Sequence, residues 1–362
     1  MAACPAPVVI LQQPADIGQL TTDPGDMDNF ATVVSTLLLA AHLVTMNVPS
    51  AAPLVCIWLN TRRRRGGAAA DLVGRQLAHA SLWSLLVGML LGAALVALIW
   101  AAGGQGYWDA VRRFPARAYG FALAELAFTA VCLALYAATW QPWRNRPGLH
   151  AVVAVLATTN LLYHFPPLMI VLGNLASRPE LALESVVTRP VFRGLLLRAD
   201  VLAQVAHFVV ASVAVSGVAL MLLANRKHVR HETGEAADRL VAAGARIALA
   251  ATLAQLAVGL WVLVQLRSEA RWALLGDDWL AGGIFFVAVL AAFGLLHSLS
   301  AVALGDVRGP AVHRAALLLL AVVLLMTATL SRTRQIEAAP RVARLLVWNH
   351  KLHLQDHERT RC

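Results

Sequence analysis

Charge is scarce in this chain. Only 14% of its 362 residues are Asp, Glu, Lys or Arg, against about 25% in an ordinary soluble domain. That shortage excludes a water-facing globular surface. Cysteine is also sparse: Cys4, Cys56, Cys132 and Cys362 form no C-x-x-C pair and no C-x-x-C-H. Zinc ribbons, dithiol redox motifs and covalently attached haem are therefore not encoded. The chain also lacks a glycine-rich phosphate loop, G-x-S-x-G and H-E-x-x-H, the motifs of nucleotide-, serine- and zinc-dependent catalysis. The net charge is +10, yet no aromatic-interleaved basic stripe accompanies it. Membrane orientation explains that excess better than nucleic-acid binding.

What the chain has is long apolar runs. Hydrophobic residues make up 59%, and a helix rising 1.5 Å per residue crosses a bilayer in about 20 of them. Eight such runs lie at approximately 31–59, 77–102, 117–139, 149–174, 199–224, 241–265, 280–304 and 312–331. The fold class is thus all-α: a polytopic membrane protein of about eight helices, expected as two four-helix groups. Residues 1–28 carry no basic n-region and are broken by Pro5, Pro7, Pro14 and Pro24, so they read as a short external segment. Residues 29–331 form the transmembrane domain, and 332–362 a basic tail containing His350, His353 and His357. Cys56 and Cys132 fall in spans as packing residues. Leu175–Arg198, with Pro179 and Pro190, is long enough to carry a short interfacial helix.

Direction follows from the first span. Arg62–Arg65 comes directly after it, which marks the cytoplasmic end. The N-terminus then lies outside, and an even span count returns the C-terminal tail to the outside.

Ionisable side chains inside spans are costly and mark function. Five of the span histidines are singled out, His42, His79, His164, His207 and His297, with one carboxylate well inside, Glu125. Small residues flank several of them. Ala203, Ala206, Ala211 and Ala214 surround His207, and Gly294 and Ser300 flank His297. A planar porphyrin needs such space, and imidazole is a common axial ligand of haem iron. Bare helices also use small residues to pack closely, and a histidine also serves as a hydrogen-bonded structural group. Counted along the helices, His42, Glu125, His164 and His207 share the outer half, while His79 and His297 fall near the inner face as a candidate bis-histidine pair. Gln204 stands close enough to His207 to hydrogen-bond a haem propionate or the ring. The rival reading is a non-haem transporter or structural subunit. Transporters often show paired broken helices, and His164-Phe165-Pro166-Pro167 has no counterpart elsewhere.

The order of these features resembles subunit I of the cytochrome bd-type quinol oxidases, over about the first 225 residues. His42 on the first helix, Ala122-Leu123-Ala124-Glu125-Leu126-Ala127 on the third, Asn160 on the fourth and Val205-Ala206-His207-Phe208-Val209 on the fifth carry the likeness. The resemblance implies a b-type haem cytochrome moving electrons within a respiratory or related redox complex. His42 and His207 would be axial ligands. His79 and His297 would be further metal ligands, His164 and Gln204 would contact the cofactor, and Glu125 would be a proton-relay carboxylate. It also implies partner membrane subunits, an external cytochrome or quinol donor, and a bacterial cytoplasmic membrane. The chain departs from that family: only Arg267–Trp279 stands where the long quinol-binding loop belongs, the seventh span has no methionine, and the eighth, as bounded above, has no glutamate.

The topology is directly checkable. A reporter fused after Gly66 reads as cytoplasmic and one fused after Arg359 as external; both on the same side contradicts the eight-span count.

Overall fold

The computed structural model describes the backbone of residues 24–64 and 67–359, with side chains over 30–64 and 67–337. Cys4, Cys362, most of the external N-terminal segment and the side chains of His350, His353 and His357 lie outside the described residues. Among the described residues there are twelve α-helices and no strand. They are α1 Pro24–Arg64, α2 Ala68–Ala101, α3 Gln105–Arg112, α4 Ala116–Ala138, α5 Pro147–Ser177, α6 Arg189–Leu196, α7 Ala199–Ala224, α8 Lys227–Thr233, α9 Glu235–Gln265, α10 Ser268–Trp272, α11 Trp279–Ala303 and α12 Gly309–Arg359. Eight of them, α1, α2, α4, α5, α7, α9, α11 and α12, are long and apolar enough to span a membrane. The protein is therefore an integral membrane protein. The fourth connection does carry a short helix, α6.

The spans pack as two rings of four. In the first, α1 packs on α2, α2 on α4, α4 on α5, and α5 back on α1; in the second, α7 packs on α9, α9 on α11, α11 on α12, and α12 back on α7. The rings meet chiefly through α1, which touches both α7 and α12. Small residues set the tightest crossing. A Cβ built on Gly217 of α7 would lie 2.7 Å from the Ala248 nitrogen and 2.8 Å from the Gly244 oxygen of α9. Only glycine allows the two backbones so close. Cys56 and Cys132 are buried free thiols, as expected of packing residues.

Ionic knots hold both ends of the bundle. At the polyarginine end, Arg63 turns inward and is 1% exposed. Its Nη1 donates to the Trp140 oxygen at 2.6 Å and to Asp71 Oδ1 at 3.3 Å. Asp71 also accepts from Trp140 Nε1 at 2.9 Å and from Gln141 Nε2 at 3.1 Å. The ends of α1, α2 and α4 are thereby tied together. At the opposite end, Arg178 of α5 pairs with Asp200 of α7 at 2.8 Å and with Glu337 of α12 at 3.7 Å.

The second knot uses residues beyond the apolar run of the last span. That run ends near 331, and the helix continues past it without a break, as part of α12 Gly309–Arg359. Arg332 donates to Asp278 at 2.6 Å, and Glu337 is buried against Arg178. Paired charges thus accompany the helix beyond its apolar run.

Asp278 caps α11, accepting from the Leu280 and Ala281 nitrogens, each at 3.0 Å. The Ala281 N–H and the Arg332 guanidinium hold its carboxyl below the ordinary carboxylate range. A depressed pKa contributes stability above the unfolded value, about 3.9, and loses it as pH falls through the folded value. Asp278→Asn keeps a capping acceptor but removes the charge. It should melt below wild type at pH 7, with the gap closing below about pH 4. A gap that stays constant across that range would show the ion pair to be idle.

Candidate functional site

A histidine inside a span has two ring nitrogens to satisfy where no water is at hand. The structure sorts the span histidines by how far that demand is met. His150, 1% exposed, meets it fully. Its Nε2 donates to the Tyr136 oxygen at 2.9 Å, its Nδ1 faces Asn60 Nδ2 at 3.4 Å, and its ring stacks on Tyr136 with centroids 3.8 Å apart. It is a structural histidine. It stands at the start of its span, beside Arg146 and Pro147, and is not among the histidines singled out from the sequence.

His42 meets the demand by half. Its Nδ1 lies 2.8 Å from the Gly88 oxygen of α2, which makes Nδ1 the N–H donor and leaves Nε2 with a free lone pair. Metal-bound histidines typically show this arrangement, one nitrogen donating to a carbonyl and the other on the metal. Glycines face it: a Cβ on Gly92 would sit 3.0 Å from His42 Cε1.

His207 does not meet it at all. Its Nδ1 is buried without a partner. The facing helix α9 presents Gly259, where a Cβ would make an ordinary van der Waals contact with His207 Cε1, at 3.8 Å. It also presents Gln255, whose Nε2 donates to the His207 backbone oxygen at 3.1 Å and whose Oε1 is itself buried and unpaired. Leaving a buried polar group unmatched costs about 1–3 kcal/mol. An orphaned imidazole opposite a glycine thus has the form of a ligand site. Gln204, the residue expected to assist, makes no hydrogen bond among the described residues; Gln255, 48 positions further along the chain, stands beside the histidine instead.

The expected outer cluster is divided. Glu125 and His164 do meet across α4 and α5, with Oε2 and Nε2 4.0 Å apart. Asn160 steadies that seam by donating to the Glu125 backbone oxygen at 2.8 Å and to Thr129 Oγ1 at 2.9 Å. His42 turns instead toward α2, and His207 toward α9. These two are nevertheless related. Asn47, five residues after His42, accepts from Ser212, five residues after His207, at 2.7 Å. The two helices run in the same direction, so both histidines lie about 7.5 Å from that shared bond, at one depth. They stand on opposite sides of the α1–α7 seam. The inner pair is not formed. His79 and His297 are both exposed, and their helices α2 and α11 share no substantial packed interface, because they belong to different rings.

Above His207 on the same helix, Asp200 stands two turns away and accepts from Arg198 at 3.0 Å as well as from Arg178. With Ala199 and Gln265 these residues line a cavity of about 250 Å³ at the end of the α7–α9 seam.

No protein-family model matches the chain, and no curated protein matches it. Among solved structures, the chain is similar to the bd oxidase from Geobacillus thermodenitrificans. The TM-score is 0.59 at 14% identity, over 86% of this chain and 87% of that one. At that identity the likeness establishes a shared fold, a bd-oxidase-like arrangement of membrane helices.

Proposed function

We propose that this chain is a haem-binding subunit of a membrane redox complex, with His207 as the principal axial ligand of a b-type haem. The observation that carries the proposal is the buried, unpartnered Nδ1 of His207. The likeness of fold to a bd oxidase supports it. A haem supplies one-electron transfer when bound. The chain's own residues do the rest. His207 and His42 present imidazoles at one depth on either side of the α1–α7 seam, so the two candidate sites are neighbours along an electron path. The Gly88 carbonyl fixes the His42 tautomer. Arg178 and Arg198 put cations at the end of the His207 helix, where anionic propionates are best received. Glu125, 4.0 Å from His164, is the carboxylate placed to hold or pass a proton within the membrane. The complex would sit in a bacterial cytoplasmic membrane with the Arg62–Arg65 end inside, alongside other membrane subunits.

The experiment compares haem per protein in wild type, His207→Ala and His150→Asn. Loss of one haem signal is expected for His207→Ala, with the protein still inserted because span hydrophobicity barely changes. His150→Asn should keep its haem, since both ring nitrogens of His150 are already engaged. Wild-type haem content in His207→Ala would overturn the assignment.

A further inference from the structure

The first ring of helices has a charge imbalance at its polyarginine end. Within residues 30–177 there are three carboxylates, Asp71, Asp109 and Glu125, and only Asp71 lies at this end. The inward-facing Arg63 and the Trp140 and Gln141 side chains consume it. Arg62 and Arg64 on α1, Arg75 on α2, and Arg144 and Arg146 in the α4–α5 turn are all exposed. None of the five has an ion-pair partner among the described residues. The knot brings these segments together, since Asp71 binds residues from the ends of both α1 and α4.

The arrangement is held in place before any ligand arrives. The Arg62 guanidinium sits 4.7 Å over the Trp58 ring. The turn bearing Arg144 and Arg146 is closed by successive backbone bonds, Trp143 to Thr139 at 2.9 Å, Arg144 to Gln141 at 3.1 Å and Arg146 to Trp143 at 2.8 Å. Gln141 anchors that turn to α2. Unpaired guanidiniums at the end of a membrane span, beside tryptophans, stand at headgroup level.

We propose that this end of the first ring is a binding site for a phospholipid with a net-anionic headgroup, its phosphodiester held by Arg62, Arg144 and Arg146. Guanidinium forks match phosphate oxygens, and a headgroup with no amine of its own leaves that charge uncompensated. Zwitterionic lipids offer the same phosphate with its charge cancelled, so they should bind more weakly.

The test is native mass spectrometry and thermal melting of the detergent-purified full chain with added phosphatidylglycerol or phosphatidylcholine. Phosphatidylglycerol should be retained and raise the melting temperature by mass action; phosphatidylcholine should do neither. Replacing Arg62, Arg144 and Arg146 by Gln should weaken retention about fivefold per arginine. Replacing Arg189 and Arg193, exposed at the opposite end, should leave it intact. Equal retention of both lipids, or full retention in the triple variant, would overturn the proposal and leave these arginines to orientation alone. Inorganic phosphate that stabilises the protein as much as the lipid does would overturn the lipid assignment in favour of a free anion.

Discussion

An imidazole inside a bilayer must find partners in the protein, because hydrocarbon supplies none. The arrangement around the span histidines follows from that constraint. His150 is satisfied twice over, by the Tyr136 carbonyl and the Asn60 amide. His42 is satisfied once, by the Gly88 carbonyl. His164 shares its position with Glu125. His207 alone has a ring nitrogen enclosed with nothing to bond, and it faces glycine rather than a filled helix surface.

Charge has been moved to the two ends of the bundle. Arg63–Asp71 at one end and Arg178–Asp200–Glu337 at the other tie three spans each. Between them the helices meet through small residues such as Gly217 and Gly244. This division lets the middle stay apolar while direction and register are set at the headgroup levels. It also brings α1 to the centre. That helix packs on both rings, and its Asn47 bonds to Ser212 of α7, so the depth of His42 is coupled to that of His207.

The spans themselves were legible in the sequence, because apolar length and a fixed rise per residue decide them with little else. The eighth spanning helix runs past its apolar stretch. Arg332, Arg334 and Glu337 look like solvent-exposed residues in one dimension, but Asp278 and Arg178 meet two of them in three. His42 and His207 were each legible as candidates, since an ionisable group in an apolar run is visible without a structure. Their partners were not. Which way each imidazole turns depends on helix crossings fixed by residues such as Gly217 and Gly244, tens of positions distant. So the sequence does not announce Gln255 beside His207, and His79 and His297, matched in depth, sit in different rings. A signal for His150 did exist: Tyr136, Trp140, Trp143 and His150 form one aromatic group across a single turn.

The central claim is that the His207 cradle holds a redox-active haem. The most direct measurement is a dithionite-reduced minus air-oxidised absorption spectrum of the purified full chain, with pyridine haemochromogen quantification on the same sample. The account predicts the sharp α-band of a b-type haem and at least about one haem per chain. A flat difference spectrum with no extractable haem, from protein shown to be folded and inserted, would contradict it.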